Sequence, residues 1–186
     1  GLIRIKNPGG RLHVKKPCER WFPEARFGMF VHWGIYSVLK HGEQALYREL
    51  LNPSEYAELA DRFSAADFDP SKWVRTAKAA GMKYMVLTAK HLDGFCLFNT
   101  STTEYNAVEK GPHRDLVAAY VDACRKGGIR IGLYFSLTDW SVPACFSGPE
   151  KDPQGFASFI RLVHRQVEEL TTHYGTIDLL WFDGAN

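Results

Sequence analysis

The chain has 186 residues, about one domain's worth, and its 45% hydrophobic and 24% charged residues are those of an ordinary globular protein rather than a disordered, fibrous or coiled-coil one. Lys and Arg (23) nearly balance Asp and Glu (21), and the formal charge of +2 is spread in both signs, which excludes a nucleic-acid or membrane footprint. No run of roughly 18 apolar residues exists, so no transmembrane helix is expected.

Phe27 to Trp33 is a short, nearly apolar run ended by Gly34 and reads as the first strand. Asn52-Pro53-Ser54-Glu55 then reads as an N-cap, a Pro at the first helical position and an acid in the first turn. Tyr56, Leu59, Ala60 and Phe63 continue that helix at one-face spacing. Asp69-Pro70 opens a second helix that stops at Gly81, and Tyr84 to Lys90 is the second strand. Leu116, Ala119, Tyr120 and Ala123 mark a third helix, closed by Gly127-Gly128 before the strand Ile129 to Ser136. Asp152-Pro153 caps the fourth, whose stripe is Phe156, Phe159, Ile160, Val163, Val167 and Leu170, closing at Tyr174-Gly175. Thr176 to Phe182 is the fourth strand. Continuous apolar runs, in place of strict alternation, predict strands buried on both faces of a parallel sheet.

Alternating strands and helices imply right-handed crossovers and an α/β fold. The helix-to-strand links are tight, whereas the strand-to-helix links (34–51, 91–113 and 137–151) are long. Long links in a compact domain are usually functional, and these gather where (β/α) barrels keep their active sites. No G-x-G-x-x-G or P-loop pattern is present, which lowers the nucleotide-binding folds. The expectation is a single (β/α)-barrel-type domain over 1–186 with about four β/α units, half of an eight-unit TIM-like barrel.

All four strands deliver polar or aromatic groups at the same end: His32-Trp33-Gly34, Lys90-His91-Leu92-Asp93-Gly94-Phe95, Tyr134-Phe135-Ser136 with Asp139-Trp140 beyond, and Trp181-Phe182-Asp183-Gly184. Asp183, a carboxylate where an apolar strand opens onto that face, is the sharpest catalytic candidate; its alternative is the N-cap of a following helix. His32 and His91 lack an H-E-x-x-H or carboxylate triad, so hydrogen bonding to a hydroxylated ligand is expected ahead of metal binding. His164 and His173 read as surface residues, and the missing G-x-S-x-G elbow leaves a serine hydrolase unsupported. Cys18, Cys96, Cys124 and Cys145 are widely and irregularly spaced, as free thiols are, and no metal or cofactor is expected. Five Trp in a chain that is 13% aromatic suit a site for flat or sugar-like ligands. No apolar h-region is visible, and the compartment stays open.

The segment Ala25-Arg26-Phe27-Gly28-Met29-Phe30-Val31-His32-Trp33-Gly34-Ile35-Tyr36-Ser37 resembles the opening signature of the family 29 glycoside hydrolases, the retaining α-L-fucosidases. Lys90 to Phe95, Gly132-Leu133-Tyr134-Phe135-Ser136 and Trp181 to Gly184 resemble its later motifs, in order. The resemblance implies a barrel that removes terminal α-L-fucose from fucosylated oligosaccharides or glycoconjugates. By position Asp183 would be the nucleophile, His32, Glu43 and His91 would hydrogen-bond fucose hydroxyls, and Tyr134, Trp33 and Trp181 would complete substrate binding. The sequence departs from the family at Leu92, usually a second His, and at Gln44, often Trp. The family's general acid/base lies past Asp183, and none of Glu43, Glu49 or Asp139 has a specific claim to that role. On this reading the chain is the amino-terminal half of the catalytic barrel, without the family's β-sandwich. Its open edges would invite a dimer that completes the barrel. The alternatives are a fucose-binding pseudoenzyme or fragment without turnover and, more weakly, a barrel-derived hydrolase of another sugar.

Overall fold

A computed structural model describes residues 17–184, with side chains from residue 20 onward, so the Cys18 thiol lies outside the described residues. The elements run α1 (Pro17–Ala25), β1 (Gly28–Val31), a 3-10 turn (Ile35–Val38), α2 (Ala45–Arg48), α3 (Pro53–Ala57), α4 (Leu59–Arg62), α5 (Pro70–Ala79), β2 (Tyr84–Lys90), α6 (Leu116–Gly127), β3 (Arg130–Ser136), α7 (Pro143–Lys151), α8 (Pro153–Thr172) and β4 (Leu179–Asp183). The four strands form one parallel sheet in the order β1-β2-β3-β4. Strands laid side by side in chain order have no switch point, which is consistent with part of a (β/α) barrel and not with a doubly wound sheet.

Register divides the strand residues between two faces. Phe30, Val86, Gly132 and Leu179 are laterally aligned, as are Tyr134 and Trp181 one pleat further on. Met85, Leu87, Ala89, Ile131, Leu133 and Phe135 point the other way, into a core shared with Val74, Ala77, Leu116, Tyr120, Cys124, Phe159 and Val163 of α5, α6 and α8. The helices therefore cover one face, and the motif-bearing residues lie on the opposite one. Gly132 is needed on this second face, because a Cβ there would sit 2.8 Å from both the Met85 carbonyl and Val86 Cγ2.

The caps form as their residues dictate. Asn52, Asp69, Asp115 and Asp152 each accept a backbone N–H of the first turn of α3, α5, α6 and α8, at 2.7 to 2.9 Å. Gly128, at φ 67°, closes α6 in the left-handed conformation.

Three expectations need correction. Burial on both faces holds for β2 and β3 but fails for β1 and β4, where Phe30, Trp181 and Phe182 stay exposed. These are the edge strands, each with a neighbour on one side only. The helix from Asn52 is two short pieces meeting at Glu58, although Tyr56, Leu59, Ala60 and Phe63 are all buried as its stripe predicts. β4 begins at Leu179 and not Thr176, because Asp178 turns its carboxylate onto the Ile131 N–H (2.9 Å) and Arg130 (3.0 Å). Among the described residues, no helix is long and apolar enough to cross a membrane.

Candidate active site

The site is built on the carboxyl ends of the four strands. His32 follows β1, His91 follows β2, Tyr134 lies in β3, and Trp181 and Asp183 in β4. Their rings form a continuous surface. His32 and His91 meet edge to face at 4.6 Å between centroids, and His91 stacks on Tyr134 at 5.7 Å. Phe30 bridges His32 at 5.9 Å, Tyr134 at 5.8 Å and Trp181 at 5.2 Å. The Tyr134 hydroxyl donates to Asp183 Oδ2 at 2.7 Å, while Asp183 Oδ1 accepts the Gly184 N–H at 2.8 Å. The Asp183 carboxylate is thus oriented through both oxygens and still exposed to solvent.

Burial favours the neutral form of both imidazoles. Burial, with His32 alongside, pushes His91 down to about 4, and burial also lowers His32 against the pull of Glu43 and Asp183. Burial, then the contact with Asp183, raises the Tyr134 phenol well above its ordinary value, so it stays a donor. Glu43 is half-buried, and its charge acts on His32, His91, Tyr36 and Tyr134. The Nδ1 of His91 is itself buried and has no protein hydrogen-bond partner.

One predicted contact lies elsewhere. The Trp33 ring is not among these groups: it packs on Phe63 at 4.8 Å and Phe68 at 5.3 Å, with Trp73 at 5.9 Å. Its backbone N–H instead donates to Thr88 Oγ1 at 3.0 Å, fastening the end of β1 to β2. Leu92 and Gln44 are half-buried, and His164 and His173 are exposed as expected. Cys96 and Cys124 are buried free thiols, and Cys145 is half-buried and free. Among the described residues, no group of three His, Cys, Asp or Glu could hold a metal ion.

Sequence reasoning missed the supports of the site. The Tyr36 hydroxyl bonds His32 Nδ1 at 2.7 Å, a partnership visible only in the four-residue spacing across Gly34. Lys90 and Asp139 form a fully buried ion pair at 3.1 Å, and Asp139 also accepts the Ser141 N–H at 3.0 Å. Asp93 is buried, accepts the Tyr56 hydroxyl and the Phe95 N–H at 3.0 Å each, and is pushed up to about 6 by that burial. Trp140 N–H donates to the Leu92 carbonyl at 2.7 Å. The turn that presents His91 is therefore clamped on both sides. Asp139 and Glu49, the latter paired with His41 at 3.1 Å, are both engaged.

An open carboxylate among neutral imidazoles and aromatic rings, at the carboxyl ends of a parallel sheet, suits an uncharged, hydroxylated ligand with both polar and apolar faces. Sugars are that class of ligand. The family model described as Alpha-L-fucosidase matches residues 8–186, and the chain belongs to that family. Tissue alpha-L-fucosidase of Rattus norvegicus is 37% identical over 91% of this chain and 40% of that protein. Among solved structures, alpha-L-fucosidase isoenzyme 1 from Paenibacillus thiaminolyticus superposes with a TM-score of 0.84 at 40% identity, covering 91% of this chain and 43% of that one. A Bacteroides thetaiotaomicron family 29 alpha-L-fucosidase, trapped as a covalent intermediate with 2-fluoro-fucosyl fluoride, superposes at 0.86 with 31% identity over 96% and 43% of the two chains. The chain spans about 40% of the curated relative's length.

Proposed function

We propose that these residues are the nucleophile half of a retaining α-L-fucosidase site, carried on four of the eight units of a (β/α) barrel. The observation that carries the reading is the Asp183 carboxylate, exposed at the end of β4 and held by Tyr134 beside the His32–His91 pair. In the proposed reaction one Asp183 oxygen attacks the anomeric carbon from one face as the glycosidic oxygen leaves from the other. Water then attacks the fucosyl ester and releases fucose with its original anomeric configuration. Neutral imidazoles suit this chemistry, since they can both accept from and donate to the sugar hydroxyls without neutralising the attacking carboxylate. Phe30 and Trp181 give the apolar parts of the sugar a dry wall.

A retaining enzyme also needs a proton donor about 5–5.5 Å from the nucleophile. Asp139 is paired with Lys90, Glu49 with His41, and Glu43 is assigned to the fucose hydroxyls, so we place the donor outside residues 17–184. The exposed edges at β1 and β4 are where further β/α units, or a second copy of the chain, would complete the barrel. Nitrophenyl α-L-fucoside tests the assignment, because nitrophenolate leaves without a proton. Asp183→Asn should lower its turnover by at least about 10³-fold. Unchanged turnover in that variant would overturn the assignment.

A further inference from the structure

The segment just past Glu43 exposes an apolar surface that the fucose-binding groups do not use. Tyr47 of α2 is 70% exposed, and Leu50 is 87% exposed while its backbone sits at φ 52°, where a leucine is strained. Trp140, half-buried, faces Tyr47 with 6.0 Å between ring centroids and 40° between planes. Behind it lies a cavity of about 100 Å³ lined by Leu46, Tyr56, Asp93, Tyr105 and Trp140. The Trp140 backbone N–H on the Leu92 carbonyl ties this wall to the residue that follows His91.

We infer that Tyr47 and Trp140, with Leu50 at the rim, form the platform for the sugar that carries the fucose, the leaving group of the reaction. The inference rests on the fucosidase reading above and extends it to substrate choice. A pyranose ring has an apolar C–H face that lies well on two tilted aromatic rings, and the small cavity admits a substituent of that ring. Tyr47 lies four residues past Glu43, so one short segment would touch both sugars across the scissile bond. The platform adds binding without touching the reacting atoms; these are specificity residues.

Saturation-transfer NMR with α-L-fucosyl-N-acetylglucosamine separates the two readings. In the unaltered protein, protons of both rings should receive saturation, and the disaccharide should bind roughly tenfold more tightly than L-fucose, the gain of one good aromatic contact. In Tyr47→Ala, a surface change that leaves the core intact, the N-acetylglucosamine signals should fall severalfold while the fucose signals persist. Trp140→Ala should do the same, with Trp140→Phe restoring part of the effect. N-acetylglucosamine signals unaltered in Tyr47→Ala and in Trp140→Ala would overturn the platform alone. No fucose-ring saturation in the unaltered protein would overturn the fucosidase reading and the platform with it.

Discussion

His91 and Asp93, two residues apart, respond to burial in opposite directions. His91 falls to about 4 in the folded protein, so the unfolded chain binds its proton first as pH drops. Its contribution to stability is complete above the ordinary histidine value of 6.5 and is lost as pH falls toward 4. Asp93 rises to about 6 from 3.8, so the folded state holds the proton more tightly. Its contribution is complete below 3.8 and is lost as pH rises through about 6. The two slopes oppose each other over nearly the same interval. Denaturant unfolding between pH 4 and 6.5 should therefore show Asp93→Asn losing stability on acidification more steeply than the unaltered protein, and His91→Gln more shallowly. Parallel curves for all three proteins would contradict the burial-driven origin of both shifts.

At the scale of elements, the β2 and β3 loops are joined by charge. Lys90 lies against the Phe135 ring, 4.5 Å from its centroid, and pairs with Asp139 where neither side chain reaches water. Asp139→Ala would leave a buried ammonium without its partner and should cost about 3–5 kcal/mol in chemical denaturation. Replacing both, as Lys90→Met with Asp139→Leu, should recover most of that loss, whereas a double variant as unstable as the single one would show that the pair does more than satisfy its own charges. The sequence made the regular elements legible, with β2 appearing at its predicted bounds, Leu116, Tyr120 and Ala123 of α6 and Phe159, Val163 and Leu170 of α8 buried, and Phe156, Ile160 and Val167 packed half-buried against that core. Local capping and period explain that success, since each needs only neighbours in the chain. The ion pair, the Asp93–Tyr56 bond and the displaced Trp33 ring depend on partners roughly 30 to 50 residues away, and no local pattern announces them. The strand ends were legible as a site because four of them carry functional groups in phase. Which of those groups touch one another was not.

Across the whole molecule, a sheet of four strands in chain order has one face covered by helices and the other carrying the candidate site. Its edges are apolar. Phe182 lies with Ile160, Val163 and Val167 in a groove of about 740 Å³ beside β4, and Phe30 and Trp181 close only part of the opposite face. Such surfaces suit burial by neighbouring β/α units, as the greater length of the relatives suggests. Asp183 stands at the end of the edge strand β4. In the proposed reaction this carboxylate attacks fucose. Intact-mass and peptide mapping after exposure to 2-fluoro-fucosyl fluoride tests it most directly, because fluoride leaves without a proton donor while the 2-fluorine slows release of the ester. One 2-fluoro-fucosyl group is expected on the peptide that contains Asp183, and none in Asp183→Asn. A label on another residue, or no label at all, would contradict it.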